Sequence, residues 1–129
     1  MTYTQKITVK RLSLIGKDDR GETYGFSLSR HQKDYIYLTR QKGSISGNSY
    51  HTGKSPATDP KTFILLNGKI ELRFRDIKVT DSDTIEIEAP AIIEIKSHTI
   101  HAVYAVTDII MLECNSIEDI QEDNFKEPV

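Results

Sequence analysis

The chain has 129 residues, of which 28% are charged and 37% are hydrophobic, and its formal net charge is −2. This length suits one domain with its own hydrophobic core, and the composition is ordinary for a globular protein. Scattered basic residues and a near-neutral charge argue against a nucleic-acid partner, and the lack of an apolar run of about 18 residues argues against a membrane span.

Cysteine usage and the N-terminal pattern bear on the compartment. Cys114 is the one cysteine of the chain, so an internal disulfide is excluded and a reducing cytoplasm is the expected location. It ends the apolar run IIMLEC, which predicts a small buried hydrophobic residue. Residues 1–16 alternate polar and apolar positions and contain no apolar signal core.

Hydrophobic residues alternate with polar ones along most of the chain, which is the period of a β-strand. Turn signals recur about every 8–12 residues, the spacing of a sandwich or barrel. The predicted strands cover residues 7–12, 23–28, 35–40, a segment leading to His51, 62–66, 70–75, 84–88, 92–95, 100–106 and 109–114. A turn is predicted at 16–21, and Asn67-Gly68 predicts a hairpin turn. The sequence therefore indicates an all-β fold.

Two segments depart from the strand pattern. The loop 52–60 contains one glycine, two prolines and no large apolar residue, so it suits neither a strand nor a helix. We interpret it as the rim of a pocket or, alternatively, as a plain solvated connection. Ser116 and the acidic residues after it predict a short C-terminal helix. Residues 124–129 are predicted to be frayed.

The histidines are the first candidates for a functional site. His51 shares a strand face with Ser49, because residues i and i+2 of a strand point the same way. His98 and His101 lie in the segment SHTIHAV and are out of phase, so at most one points inward, and the apolar neighbours of His101 favour that residue. Each histidine has the alternative of being an ordinary core or surface residue. His51 and His101 on facing strands would place two imidazoles in one cavity.

Charged residues and tyrosines on predicted strands extend the candidate list. Lys61 shares parity with Phe63, so it either points into a wet pocket or lies in solvent just outside the strand. Arg73 and Arg75 share a face with Glu71 and either bind a phosphate or carboxylate or form a solvated face.

Tyr37, Tyr50 and Tyr104 are candidate proton donors or stacking surfaces, with plain packing as the alternative. His31 lies in the polar segment SRHQKD and is expected at the surface. No Gly-rich phosphate loop, CxxC pair or HExxH motif is present in the sequence.

Residues 35–115 resemble a cupin, a small double-stranded β-helix or jelly-roll barrel. Gly47 and His51 match the start of the first cupin motif, and LLNGKIELRF matches the turn and strand that follow it. EIKSHTIHAV, with Thr107 and Asp108 after it, is similar to the second motif and puts His101 in the histidine position. The resemblance implies a cupin-type jelly-roll barrel, here with a short C-terminal helix, as a single domain over residues 1–129.

Two positions depart from the metal-binding cupin pattern. Gly53 stands where the second histidine of the first motif is usual, and Lys61 stands where the glutamate ligand is usual. Because a divalent metal prefers three or more good protein ligands, no tightly bound metal is expected.

The chain is more similar to the nucleotide-sugar cupins, namely the dTDP-sugar 3,4-ketoisomerases and the dTDP-4-dehydrorhamnose 3,5-epimerases. The spacing of His51, Lys61 and Gly68 resembles the epimerase pattern, although the arginine of the epimerase motif is missing.

This resemblance implies an isomerase or epimerase that acts on a keto-sugar nucleotide by proton abstraction and needs no cofactor. His51 is then the base, Lys61 stabilises the enolate and Tyr104 returns a proton. The residues expected to bind substrate are His101, Arg73, Arg75 and Tyr50. The alternative is a non-catalytic cupin that binds a small ligand or a partner, and a metal-dependent cupin enzyme is a third hypothesis.

The N-terminal strands 7–12 and 23–28 lie outside the region that resembles the barrel. Exposed strand edges tend to be paired or covered, and homodimers are the commonest closed oligomers. We therefore predict a homodimer in which these strands extend a sheet or cross to the partner.

Overall fold

The structure is a computed structural model that describes residues 6–129. In this range the strands form two five-stranded antiparallel sheets and a separate two-stranded hairpin. The first sheet has the order β1 (Ile7–Arg11), β9 (Ala91–Ile95), β6 (Lys61–Asn67), β11 (Ile109–Glu113) and β4 (Ile36–Arg40). The second has the order β12 (Phe125–Lys126), β5 (Ile45–Tyr50), β10 (Thr99–Ala105), β7 (Lys69–Asp76) and β8 (Asp83–Glu88). The hairpin pairs β2 (Ser13–Asp18) with β3 (Gly21–Gly25).

The alternation of the sequence becomes the two faces of each sheet. In β7, Ile70, Leu72 and Phe74 are buried, whereas Arg73 between them is exposed. Inward side chains of both sheets, such as Phe63 from β6 and Leu72 from β7, belong to one hydrophobic cluster. Each large aliphatic or aromatic residue buried there contributes about 1.5–3 kcal/mol, so the two sheets are held face to face. The all-β architecture predicted from periodicity is confirmed.

The Asn67-Gly68 turn forms at the predicted place but does not make a hairpin. β6 pairs with β9 and β11, whereas β7 pairs with β10 and β8, so the turn carries the chain from one sheet to the other. Gly68 has φ +93°, and a Cβ at this position would collide with the carbonyl oxygen of Asp108. Glycine is therefore required at this corner of the barrel.

The turn of the N-terminal hairpin is shorter than the turn predicted at 16–21. β2 continues through Gly16 to Asp18, and the turn is confined to Asp19 and Arg20. The hairpin is solvent-exposed and carries large apolar side chains, with Leu14 56% and Ile15 71% exposed. The homodimer stays a prediction, and these exposed apolar side chains are where a partner chain would pack.

The predicted C-terminal helix is confirmed as α1 (Ile117–Glu122). Ser116 is its N-cap and forms a capping box with Asp119, in which each side chain receives the other residue's backbone N–H. No helix in the described part of the chain has the length and apolar character needed to cross a membrane.

The C-terminal residues after α1 are ordered by pairing, so the predicted fraying of 124–129 is wrong. β12 pairs with the end of β5, and the Phe125 ring stacks on Tyr50 with centroids 5.4 Å apart. The backbone N–H of Glu127 also donates to the carbonyl of Asn48 at 2.9 Å. The C-terminal segment is therefore ordered by pairing with the edge of β5, although its own sequence has no strand pattern.

Cys114 behaves as predicted from its apolar run. It is fully buried and packs with Ile64 and Ile92 in a small second cluster. Burial raises the pKa of the thiol to about 11, so Cys114 is a packing residue with little thiolate character at neutral pH.

Candidate active site

A cavity of about 210 Å³ opens between the two sheets. Its apolar wall includes Phe63, Val103 and Met111. Six titratable side chains line it: Arg40, His51, Lys61, His101, Glu113 and Lys126. A concave, partly apolar site with a few convergent polar groups is the usual form of a small-molecule site.

His51 lies just after β5 and is 5% exposed. Its Nδ1 is 2.6 Å from the carbonyl oxygen of Asp123. Since a carbonyl only accepts, Nδ1 carries the proton and Nε2 is left unprotonated towards the cavity. Burial lowers the pKa of His51, the bond to Asp123 opposes this, and the charge of Lys61 lowers it again. His51 is therefore a neutral imidazole with a free lone pair.

His101 lies on β10, which is adjacent to β5 in the same sheet rather than facing it, with His101 opposite Ser49. The rings of His51 and His101 have centroids 5.5 Å apart. Nδ1 of His101 donates to the carbonyl of Thr99 at 3.1 Å, so its Nε2 is also an acceptor. Burial lowers the pKa of His101 to about 3, so it stays neutral across the physiological range.

Lys61 points into the barrel, as its parity with Phe63 allowed, and its side chain is 3% exposed. Nζ is 3.1 Å from Oε2 of Glu113, whose side chain is 18% exposed. With the Asn115 amide turned so that its oxygen faces Lys61 Nζ, its nitrogen donates to Glu113 Oε2 at 3.2 Å. Burial lowers the pKa of Lys61, and the Glu113 carboxylate opposes that effect. The arrangement is a buried ion pair beside the two histidines.

Arg40 and Lys126 are the two charged lining residues that are exposed to solvent, so they lie at the mouth of the cavity. Arg40 on β4 donates from Nε to Ser46 Oγ at 2.9 Å, and Lys126 on β12 donates from Nζ to the carbonyl of Gly47 at 3.2 Å. Neither takes part in an ion pair among residues 6–129. With Lys61 and Glu113 compensating each other, the mouth carries an excess of positive charge.

Four predicted site residues lie away from this cavity. Tyr104 and Arg73 line a groove on the outer face of the second sheet. Arg75 donates to the carbonyls of Val79 and Pro128, both at 2.8 Å. Tyr50 stacks on Phe125 outside the barrel. Tyr104 on β10, Arg73 and Arg75 on β7, and Tyr50 at the end of β5 each alternate with inward residues of their own strand, and successive side chains of a strand point to opposite faces.

The remaining histidine of SHTIHAV also points away. His98 is exposed and has φ +60°, and it contributes through its backbone, whose N–H donates to the carbonyl of His51 at 2.7 Å. The choice of His101 over His98 therefore agrees with the geometry.

Sequence reasoning missed several residues of the cavity. Glu113 shares parity with the inward Met111, and Arg40 shares parity with Leu38, so the argument applied to Lys61 would have found both. Lys126 lies in the segment predicted to be frayed. Asp123, which contacts His51 without lining the cavity, also gave no signal, because its partners are about 70 residues away in the chain.

No group of three or more His, Cys, Asp or Glu side chains within residues 6–129 is arranged to hold a metal ion. Glu113, whose carboxylate lines the cavity, is already engaged by Lys61.

No family model and no curated protein matches this chain. Solved structures do match. The sugar 3,4-ketoisomerase QdtA from Thermoanaerobacterium thermosaccharolyticum, in complex with TDP, is 16% identical with a TM-score of 0.74, covering 98% of this chain and 90% of that chain.

Two further structures agree with that match. The dTDP-6-deoxy-D-glucose-3,5-epimerase RmlC from Legionella pneumophila Philadelphia 1, in complex with dTDP-4-keto-L-rhamnose, is 16% identical with a TM-score of 0.72, covering 97% of this chain and 74% of that chain. A 3,4-ketoisomerase from Helicobacter canadensis is 13% identical with a TM-score of 0.69, covering 88% and 87%. The fold of this chain is therefore the one that these three solved structures share. The predicted cupin-type jelly roll is therefore confirmed, while such low identity speaks to the fold alone.

Proposed function

We propose that this protein is a cofactor-independent isomerase or epimerase that acts on a keto-sugar nucleotide by proton abstraction. The observation that carries the proposal is the tautomer and neutral charge of the His51 imidazole. Its Nδ1 is tied to a backbone carbonyl, which leaves a neutral Nε2 directed at the cavity beside a buried lysine.

A neutral imidazole suits the first step. The proton on the carbon next to a sugar carbonyl is acidic, and Nε2 of His51 would remove it to give an enolate and an imidazolium. The lowered pKa of His51 keeps the base unprotonated at neutral pH. For an isomerisation, the hydroxyl on the deprotonated carbon passes its proton to the enolate oxygen, and the imidazolium gives its proton to the former carbonyl carbon. The carbonyl thereby moves to the neighbouring carbon, and the step balances without a second acid from the protein.

Lys61 would stabilise the enolate oxygen. An ammonium group in a cavity of low dielectric stabilises developing negative charge more strongly than it does in water. Glu113 holds Lys61 Nζ at 3.1 Å and so keeps the group in place. His101, neutral and with Nε2 as an acceptor, suits a sugar hydroxyl.

The cavity would hold the sugar and not the nucleotide. Its 210 Å³ is smaller than the roughly 300–1,000 Å³ of sites that enclose a drug-sized ligand. The diphosphate would then lie at the mouth, where Arg40 and Lys126 have no acidic partner in the described chain. We therefore replace Arg73 and Arg75 with Arg40 and Lys126 as the phosphate-binding candidates, and Tyr104 leaves the proposed mechanism.

The similar structures support this substrate class. QdtA was solved with TDP, and a histidine-to-asparagine mutant of QdtA was solved with TDP-4-keto-6-deoxyglucose. The Legionella epimerase was solved with dTDP-4-keto-L-rhamnose. Each of these is a nucleotide sugar or its nucleotide part, which suits a partly apolar cavity with polar groups inside and a cationic mouth.

Solvent deuterium exchange into dTDP-4-keto-6-deoxyglucose, followed by NMR, tests the proposal. His51→Ala should slow exchange by about 10²–10⁴-fold while dTDP binding changes little, because the base acts on the sugar end. His31→Ala, which removes an exposed histidine, is the matched control and should exchange at the wild-type rate.

The same experiment separates the main alternative. Binding of the nucleotide sugar with no exchange in the wild-type protein would favour a non-catalytic binding cupin. If His51→Ala and the wild-type protein exchanged at equal rates, His51 would not be the base.

A further inference from the structure

Asp123 connects the C-terminal end of α1 to the loop after His51, and the connection has two parts. Asp123 is the C-cap residue of α1 and is 1% exposed. Its carboxylate accepts the backbone N–H groups of three consecutive residues, Thr52 at 2.7 Å, Gly53 at 2.8 Å and Lys54 at 2.9 Å.

Three successive N–H groups that converge on one anion form a nest, a concave backbone site for negative charge. The nest depends on Gly53, whose φ of +86° is in the left-handed region that side chains disfavour. The hydroxyls of Thr52 and Thr58 add bonds of 2.7 and 2.8 Å to the same carboxylate. Burial alone would raise the pKa of the Asp123 carboxyl, but these donors lower it well below its usual value. The carboxylate is therefore ionised and bound at five points.

The second part of the connection is the main-chain carbonyl of the same residue. This oxygen accepts the proton on Nδ1 of His51 at 2.6 Å. His51 directly precedes Thr52, so the carboxylate holds the loop at the residue next to the imidazole. One residue thus fixes both ends of the bond between His51 and the carbonyl of Asp123.

We propose that Asp123 is a positioning residue for the cavity: its carboxylate, bound in the nest of residues 52–54, aligns its own carbonyl with Nδ1 of His51 and so holds His51 in the tautomer with Nε2 unprotonated. The role of the unprotonated Nε2 as a base rests on the proposed function. The tautomer of His51 does not rest on it, because the tautomer is measured without any substrate.

The alternative is that Asp123 only stabilises the fold. The tautomer separates the two roles, because a protein can lose stability and keep every imidazole in its native tautomer. Ser116→Ala supplies the matched control, since it removes the N-cap of the same helix and leaves the contacts of Asp123 with residues 52–58 in place.

The first experiment records two-bond ¹H–¹⁵N correlation spectra of the histidine rings in the full-length protein near pH 7. The wild-type protein and Ser116→Ala should both show His51 as a single tautomer with the proton on Nδ1. Asp123→Ala should show a mixture in which the Nε2–H tautomer, which predominates in free histidine, is populated. Sodium formate should restore the native tautomer in Asp123→Ala by filling the vacated nest, whereas equal sodium chloride should restore less.

The second experiment measures activity on the substrate established by deuterium exchange. Asp123→Ala should lower kcat by about 10²-fold with KM little changed, because a misplaced base impairs the chemical step more than binding. Formate should recover a large part of that loss, and it should not raise the rate of Ser116→Ala.

The decisive outcome is the tautomer. A single Nδ1–H tautomer for His51 in Asp123→Ala would overturn the proposal, and so would a tautomer shift of equal size in Ser116→Ala. If Asp123→Ala does not fold, Asp123→Asn carries the same test, because its amide keeps the size of the side chain but turns an NH₂ group towards the donors of the nest. An unchanged tautomer in Asp123→Asn would equally overturn it. Absence of activity with keto sugars would remove the proposed function and leave the tautomer result standing.

Discussion

Removing the partner of a buried lysine gives the sharpest test of the cavity's electrostatics. Glu113→Gln keeps the shape of the side chain and deletes the charge that faces Lys61 Nζ at 3.1 Å. The Lys61 side chain is 3% exposed, so the lost interaction belongs with buried ion pairs, for which removal of one partner costs about 3–5 kcal/mol. Because Glu113 is 18% exposed and borders the cavity, we expect the lower end, about 3 kcal/mol at pH 7.

The loss should depend on pH with a definite sign. The folded pKa of Lys61 lies below its usual 10.5, so the unfolded chain binds the proton more tightly than the native protein does. The free energy of unfolding therefore rises with pH between the folded pKa of Lys61 and its usual value of 10.5. Glu113→Gln lowers the folded pKa further, so in the variant this rise begins at a lower pH. The gap between wild type and variant should be largest near pH 7 and should shrink towards pH 10.

Urea denaturation at pH 6 to 10 measures these quantities. Adding Lys61→Met to Glu113→Gln should recover most of the loss, since the stranded charge is removed with its partner. The control is Glu86→Gln, which breaks the exposed pair between Lys69 and Glu86 and should cost under about 1 kcal/mol. A loss below about 1 kcal/mol for Glu113→Gln, or a gap that does not shrink at high pH, would refute a buried charged Lys61.

Three further predictions concern association, acid stability and metal content. The protein should be a homodimer in sedimentation equilibrium at micromolar concentration, and a monomeric wild type would contradict this. The double variant Leu14→Asp/Ile15→Asp should shift the protein towards monomer, because it places charges on the exposed hairpin. Because the folded pKa of His101 is about 3 and its usual value is 6.5, stability should fall as pH drops from about 6.5 towards 3, and His101→Gln should flatten that slope in urea titrations. Elemental analysis should find well under one metal ion per chain; stoichiometric metal that is lost in His51→Ala would revive a metal-dependent cupin.

The alternation of side chains along the strands predicts the orientation of more site residues than the sequence analysis used it for. The argument that turned Lys61 inward with Phe63 also turns Glu113 inward with Met111. By the same parity, an inward His101 leaves Tyr104 on the outer face, and an inward His51 does the same for Tyr50. The outward placement of those tyrosines was therefore available from the sequence, because successive side chains of a strand point to opposite faces.

The class of fold and the inward and outward faces of the strands can be read from the amino-acid sequence alone, because a two-residue period is a local property of the chain and does not depend on how the sheets are arranged. The sequence also determines the C-terminal helix, whose cap lies within four residues. Pairing and long-range contacts belong to the tertiary structure. Only there does the Asn67-Gly68 turn join two sheets instead of closing a hairpin, and only there does Asp123 meet His51, which is 72 positions away. Local pattern carries no information on such partners, since burial of both sheets in one core selects them.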